Sequence, residues 1–379
     1  MLASLLLDKC ETAGIDFYAG VPDSFLKGLC DELYARFGTD QARHIVAANE
    51  GGAIGLCAGH YLATGKPALC YMQNSGLGNA VNPLASLMDE KVYALPCLLV
   101  IGWRGEPGTH DEPQHVTQGA VTLGQLSLLN IPYAVLGPDT SVPDFCQAFG
   151  ELVSVLKENR TAALIIRKGA LSSEQHPLYG NHGTMSREDA AALVLDASAP
   201  KDVFVSTTGK LSREIFEIRE KRGEDHRRDF LTVGSMGHAS MIALGIAEAK
   251  PDRRIWCLDG DGAVMMHLGT MPLIGRRAPG NFVHVVINNG AHETVGGMPV
   301  CSGSLRIGDL ARSSGYPYVF SADSPDSLRT ALQSAKNLRG PVLLEIRCAC
   351  GARKDLGRPT TTPIQNRNAF MDFLSSANG

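Results

Sequence analysis

The sequence predicts an α/β protein of two domains, 1–172 and 185–379, each a parallel sheet flanked by helices, with a linker at 173–184. Three observations carry this reading. The chain has 379 residues, enough for two ordinary domains. Short apolar runs recur along it, each ending in glycine or a small polar residue and then passing into a helical pattern, as strand–helix–strand units do. One segment, 171–184, breaks the alternation with Ser-Ser, His-Pro and Tyr-Gly-Asn-His-Gly, after which a second series begins.

Taken in order, residues 1–8 have too short an apolar run and no basic start for a signal peptide. They read as the first turns of an amphipathic helix reaching about Ala13. Strands are predicted at 17–19, 44–47, 68–72, 97–102, 133–136 and 163–167, and helices at 24–37, 51–64, 77–86 and 143–157. In the second domain the strands fall at 203–206, 229–232, 254–258, 282–287, 318–320 and 342–346. Its helices fall at 186–196, 213–221, 239–248, 269–276 and 325–336. The pattern alone does not establish a repeat between the halves.

Composition narrows the function classes. Lys plus Arg is 35 and Asp plus Glu is 39, a formal charge of −4, which gives no reason to expect nucleic acid or an anionic membrane as partner. The hydrophobic fraction of 44% and charged fraction of 20% are those of a folded chain. No apolar stretch is long enough to span a bilayer. The ten cysteines sit mostly in apolar segments without a Cys-x-x-Cys pair, as buried free thiols do, and a cytoplasmic location is expected. Cys348 and Cys350 are spaced to share one face of a strand. Glycine is in excess, 41 of 379, which suggests tight strand-to-helix loops where backbone approaches a ligand.

Two motifs carry chemistry. The strand at 254–258 delivers Asp261 of Asp259-Gly-Asp-Gly262 at its carboxyl end. The strand at 282–287 delivers Asn289 in the same way, with one helix's length between. A carboxylate, an amide oxygen and a nearby main-chain carbonyl at one sheet edge suit a hard divalent cation accompanied by a phosphate. The alternative is that Asp-Gly and Asn-Gly are turn residues only. The second motif is Asn49-Glu50-Gly-Gly-Ala-Ile-Gly-Leu-Cys-Ala-Gly-His60, where a glutamate opens a helix of small apolar residues. Either Glu50 is a buried carboxyl able to hold a proton near neutrality, or it is a carboxylate favoured by the helix dipole.

Glu50 in the first domain with Asp261 and Asn289 in the second resembles the signature of thiamin-diphosphate enzymes. The resemblance implies two thiamin-diphosphate-binding-fold domains, pyrimidine then diphosphate, with no middle domain. It implies that Glu50 contacts N1′ of the aminopyrimidine. It further implies that Gly260, Asp261 and Gly262, through to Asn289, hold the diphosphate by way of Mg2+, with Asp261, Asn289 and the main-chain oxygen of Ala291 as metal ligands. Gly234, Ser235 and Met236 resemble the loop that bends the cofactor, with the Gly234 carbonyl facing the 4′-amino group. Read without the resemblance, Met236 fits a core residue equally well.

Further motifs are similar to the phosphonopyruvate decarboxylases: Gly20-Val-Pro-Asp-Ser24, Tyr71-Met-Gln-Asn-Ser-Gly-Leu-Gly-Asn79, Gly102-Trp-Arg-Gly-Glu-Pro-Gly108, Asp111-Glu-Pro-Gln-His115, Thr207-Thr-Gly-Lys-Leu-Ser-Arg213 and Arg353-Lys-Asp-Leu-Gly-Arg-Pro359. Sulfopyruvate decarboxylases share much of this pattern but are often divided into two subunits, so a fused chain leans toward phosphonopyruvate. The implied reaction is non-oxidative decarboxylation of 3-phosphonopyruvate to phosphonoacetaldehyde and carbon dioxide, within phosphonate biosynthesis. Such an anion needs cations and polar donors. The candidates are Ser24, Asn74, Arg104, His110, His292, Arg353, Lys354 and Arg358, although the tail cations also fit a solvated loop. His110 and His115 follow Trp103-Arg104 in a Gly/Pro-rich loop, and His115 is preferred for moving a proton or steadying the departing carboxylate. The resemblance implies a homodimer or homotetramer with sites at the subunit interface. The alternatives are sulfopyruvate or another small 2-oxo acid as substrate, or a non-catalytic protein of the same fold. A nicotinamide dehydrogenase is disfavoured, since Gly76-Leu-Gly78 lacks the third glycine of that fingerprint.

Overall fold

The computed structural model describes residues 1–39, 42–301 and 305–376. The chain divides into two compact units, one of Met1–Leu178 with Met298–Cys301, the other of Tyr179–Gly297 with Ser302–Gly379. The predicted linker is thus shared: its first residues belong to the first unit and the rest, from Tyr179, to the second.

The first unit runs α1 (Ala3–Thr12), β1 (Tyr18–Gly20), α2 (Lys27–Phe37), β2 (His44–Val46), α3 (Glu50–Thr64), β3 (Ala68–Gln73), α4 (Leu77–Ser86), β4 (Cys97–Gly102), α5 (Pro113–Leu128), β5 (Tyr133–Leu136), α6 (Val142–Lys157) and β6 (Ala162–Ile166). Its six strands are all parallel in the order β2-β1-β3-β4-β6-β5. The central strand β4 is buried at every position and β6 likewise, as expected of strands covered on both faces. The edge strand β5 is mostly exposed. Helix α3 presents Ala53, Ile54, Cys57 and Ala58 to a core that includes Cys70, Met72, Leu99 and Ile101. Its small residues let the helix lie close to the sheet.

The second unit runs α7 (Arg187–Ala197), β7 (Val203–Ser206), α8 (Lys210–Arg222), β8 (Asp229–Leu231), α9 (Ala239–Ala249), β9 (Ile255–Gly260), α10 (Asp261–Met266), α11 (Thr270–Arg277), β10 (Phe282–Asn288), α12 (Ile307–Ser313), β11 (Tyr318–Ala322), α13 (Pro325–Ala335), β12 (Val342–Arg347) and α14 (Pro363–Ser375). The strands are again all parallel, in the order β11-β12-β10-β9-β7-β8. Counted from the first strand of each unit, this is the same order as in the first unit, read from the other end. The two units therefore share a topology that the sequence pattern could not establish. One sheet face packs on Trp256, Leu258, Val283 and Val285, the other on Ile255, Cys257, Phe282 and Val286.

Each predicted strand forms within two residues of its expected bounds. Four helices were not predicted: α5, α10, α12 and α14. Helix α5 corrects the placing of His115 in a Gly/Pro-rich loop: Glu112 and Pro113 start the helix, and His115 stands in its first turn. Cys348 and Cys350 are corrected too, because β12 ends at Arg347 and both lie in the segment beyond it. All ten cysteines are free thiols. Among the described residues no helix is long and apolar enough to cross a membrane.

Candidate active site

In a parallel sheet of this kind every carboxyl end lies on one edge, and ligands bind where strand order reverses. In the first unit that reversal falls between β1 and β3. Asn49 caps α3 by accepting the Gly52 N–H at 2.8 Å, so Glu50 is the first helical residue after β2. Glu50 is buried, and its Oε2 accepts a hydrogen bond from Asn79 Nδ2 on α4 at 2.7 Å. Gly76, in the turn between β3 and α4, lies against this carboxylate. A Cβ there would meet Glu50 Cγ and Oε1 at 2.5 Å.

In the second unit Asp261 follows β9 and Asn289 follows the adjacent β10. Both are buried. The Gly290 N–H donates to Asp261 Oδ2 at 3.0 Å and the Ala291 N–H to Asn289 Oδ1 at 3.2 Å. The Asp261 and Asn289 side chains are thus brought to the adjoining ends of β9 and β10 by contacts to one turn, and a carboxylate beside an amide oxygen fits a hard cation. Gly234 and Ser235 both adopt left-handed backbone, φ +71° and +49°, and the Gly234 N–H donates to Thr208 Oγ1 at 3.0 Å. Met236 beside them is half-buried, while Gly260 and Gly262 flank Asp261.

Two residues that sequence reasoning passed over hold this turn. Glu293 Oε2 accepts from Asn289 Nδ2 at 3.2 Å and from the Gly351 N–H at 2.7 Å. A carboxylate can only accept, so Glu293 fixes which end of the Asn289 amide faces it. Asn181 Nδ2 donates to the main-chain oxygens of Asn289 and Cys348, each at 2.8 Å. The available signal was the spacing of Glu293, four residues beyond Asn289; Asn181 had none, being one of several polar residues in the linker.

Two family models match the chain. Residues 1–127 match the N-terminal TPP binding domain of thiamine pyrophosphate enzymes, and residues 207–346 the C-terminal TPP binding domain. The phosphonopyruvate decarboxylase of Streptomyces viridochromogenes is 33% identical over 380 residues, covering 96% of this chain and 92% of that one. The chain belongs to the phosphonopyruvate decarboxylase family of thiamin-pyrophosphate enzymes. The Streptomyces hygroscopicus phosphonopyruvate decarboxylase is 32% identical over 391 residues, 98% of this chain and 94% of that one. A sulfopyruvate decarboxylase of Methanosarcina acetivorans is 26% identical, with 88% of each chain covered. That relative too is matched across both units of a single chain, so fusion does not by itself separate the two substrates.

Within this family member the first unit also gathers a polar cluster around Arg104. Arg104, just past β4, donates from Nε to Asp111 Oδ2 at 2.7 Å and from Nη1 to Ser24 Oγ at 3.0 Å. Its guanidinium lies over the Phe25 ring at 4.8 Å. Against the burial that pushes it up, the Asp111 carboxyl is held below the usual range by the Arg104 guanidinium and the Gly105 N–H. Asn74 is committed to the Arg104 backbone: its Nδ2 donates to the Arg104 carbonyl at 2.8 Å and its Oδ1 accepts the Arg104 N–H at 3.1 Å. Asp23 is fully buried, with Gln73 Nε2 at 2.5 Å and the Phe25 N–H at 2.9 Å. Burial pushes its carboxyl up, against these donors and Arg104.

His115 is buried and its Nδ1 has no hydrogen-bond partner. Burial, then the charge of Arg104, lowers its pKa from 6.5 to about 4, so the imidazole is neutral near pH 7. His110 is exposed in the preceding loop. His292 is likewise lowered to about 4 by burial. In the tail Arg353 is held by Glu188, with Nε to Oε2 at 2.8 Å, by Glu217, and by Asp355 at 3.2 Å. Lys354 and Arg358 are exposed. Arg104 and Ser24 are therefore joined in one cluster, whereas Arg353 is bound to carboxylates of its own unit.

Proposed function

We propose that the chain catalyses thiamin-diphosphate- and Mg2+-dependent, non-oxidative decarboxylation of 3-phosphonopyruvate to phosphonoacetaldehyde and carbon dioxide. The observation that carries this reading is the full-length match to two phosphonopyruvate decarboxylases. Glu50, Asp261 and Asn289, all buried just beyond the carboxyl ends of strands, support it.

The oxygen set of Asp261, Asn289 and the Ala291 carbonyl would hold Mg2+ and through it the diphosphate. Bound thiamin diphosphate supplies the electron sink on which loss of carbon dioxide depends. Glu50, fixed by Asn79 and packed on Gly76, holds and exchanges the proton at N1′ of the pyrimidine. The Gly234 carbonyl would help hold the 4′-amino group, and Met236 would pack against the cofactor. Arg104 and Ser24 bind an anionic end of the substrate, and Asp111 keeps the guanidinium aimed. Neutral His115, its Nδ1 unpartnered, is able to accept a hydrogen bond from the substrate, whereas accepting a proton would place a second positive charge near Arg104. Asn74 acts through the Arg104 backbone. His110, His292, Lys354 and Arg358 remain assigned to substrate contact by motif. For Arg353 that role requires it to leave its carboxylate partners.

The two halves of the residue set lie on different units, and we propose a homodimer or homotetramer in which Glu50 and Asp261 of one site come from different subunits. The domain bounds we assign are 1–172, a linker at 173–184 and 185–379. Ten free thiols favour the cytoplasm. The test is turnover of phosphonopyruvate, sulfopyruvate and pyruvate by purified protein, with and without thiamin diphosphate and Mg2+. Cofactor-dependent turnover fastest on phosphonopyruvate is expected. Faster turnover of sulfopyruvate would replace the substrate assignment, a reading for which the Methanosarcina acetivorans relative is the support. No turnover of any of the three would overturn the proposal.

A further inference from the structure

The pairing of β9 with β10 sets His284 opposite Cys257 and Val286 opposite Asp259. Alternate residues share a face, so Cys257, Asp259 and His284 point to the same side of the sheet, the side packed by Ile255, Phe282 and Val286. All three are enclosed, with 0%, 1% and 0% exposure respectively. Two of their polar atoms, Asp259 Oδ2 and His284 Nε2, have no hydrogen-bond partner, and they lie 3.5 Å apart. The other polar atom of each is committed. Asp259 Oδ1 accepts the Gly260 N–H at 3.0 Å, and His284 Nδ1 contacts the Tyr316 hydroxyl at 3.2 Å. The Cys257 sulfur, Asp259 oxygen and His284 nitrogen all lie within 4.8 Å of one another.

A carboxylate oxygen and an imidazole nitrogen that face each other in hydrocarbon without hydrogen-bond geometry carry a desolvation cost. A cation between them would remove that cost. Tetrahedral zinc, with bonds of about 2.0–2.2 Å to nitrogen and oxygen, sets two such ligands roughly 3.4 Å apart, close to the separation present. Sulfur and imidazole select zinc over the hard cations that suit the all-oxygen set at Asp261. Zn2+ with one thiolate, one carboxylate and a neutral imidazole sums to zero charge, the condition under which charges are tolerated in a core. The Tyr316 contact on Nδ1 is the outer hydrogen bond that orients a metal-bound imidazole.

We infer that Cys257, Asp259 and His284 form a zinc site inside the second unit, separate from the proposed Mg2+ ligands and independent of the proposed reaction. The ion joins β9 to β10 just before the strand ends that carry Asp261 and Asn289. The thiol proton is released when the ion binds, and loading accompanies folding because the site is enclosed.

The test uses full-length protein produced in zinc-supplemented medium, dialysed against zinc-free buffer containing Mg2+ and thiamin diphosphate, and measured for metal content. One zinc per chain is expected, retained in Asp261→Ala and lost in Cys257→Ser and Asp259→Asn. Should those two variants fail to fold, wild-type protein produced with cobalt decides the matter. The thiolate-to-cobalt charge-transfer band and tetrahedral ligand-field absorptions are then expected. Wild-type protein with a negligible fraction of zinc and no cobalt–thiolate band would overturn the inference, leaving Tyr316, His284 and Asp259 as a metal-free chain. Zinc retained by folded Cys257→Ser would overturn it equally.

Discussion

Replacing Gly76 by alanine tests the placement of Glu50 without touching its chemistry. The added Cβ would stand 2.5 Å from Glu50 Cγ and Oε1, and ordinary contact begins at 3.4 Å. The glutamate side chain must therefore retreat by roughly 0.9 Å from the position in which it accepts the 2.7 Å bond from Asn79. Cγ is the middle of the side chain, so a simple tip rotation does not relieve the clash. Overpacking of this size costs about 1–3 kcal/mol of stability. A misplacement of about 1 Å in a reacting group costs on the order of 100-fold in rate. The assay is steady-state decarboxylation of phosphonopyruvate with saturating thiamin diphosphate and Mg2+, on protein shown to be folded by thermal unfolding. Gly150→Ala is the control, since Gly150 lies on α6 with nothing within 4 Å of an added Cβ. The expected result is a kcat lower by about 100-fold in Gly76→Ala and unchanged in the control. A folded Gly76→Ala enzyme with wild-type kcat would refute both the position and the role given to Glu50.

Three further outcomes follow from the geometry. Glu293→Gln lets the Asn289 amide turn over, so Mg2+ affinity in the presence of thiamin diphosphate should fall by about 10–100-fold; unchanged titration calorimetry would remove Glu293 from the metal turn. Asp229→Ala leaves Arg219 buried without the two 2.9 Å bonds it makes to that carboxylate, and urea unfolding should report a loss of about 3–5 kcal/mol. A loss no larger than that of a surface substitution would contradict the pair's burial. His115 has a pKa of about 4 in the fold, through burial and then Arg104, against 6.5 when free. Between those values the unfolded chain binds more protons, so this stabilisation is complete above 6.5 and declines as pH falls toward 4. His115→Gln should flatten that acid-side loss in denaturant titrations, and an unaltered slope would mean the imidazole is not held neutral.

The sheets were legible because parallel strands buried on both faces read as short continuous apolar runs, as at Cys97-Leu-Leu-Val-Ile-Gly102. Helix α5 was not, because its sequence places Gly119 and Gly124 among Gln and Thr residues and gives no clear apolar stripe. Its one local signal was Pro113 at the first helical position. The places of Asp261, Asn289 and Glu50 were legible because each lies two or three residues beyond a predicted strand, where the fold dictates the edge it reaches. Asp111 was out of reach as the partner of Arg104, because their pairing depends on how the loop at 105–112 folds back. The commitment of Arg353 to Glu188 and Glu217 was equally hidden, since those carboxylates lie on α7 and α8, more than a hundred residues earlier.

The shared strand order of the two units has a practical consequence at their other ends. Each group assigned to the cofactor, Mg2+ or the substrate follows the carboxyl end of a strand or lies on the helix beyond it. The turns that lead from helix into strand, among them 158–161 in the first unit and 278–281 in the second, carry none of these groups. Asn159 and Ala278 in these turns already have left-handed backbone, φ +58° and +48°, a conformation that glycine adopts without strain. Asn159→Gly and Ala278→Gly, or a short glycine-led peptide tag inserted at either point, are therefore the changes for which the fold leaves room, so that labels for distance or binding measurements can be carried without disturbing the reacting edge.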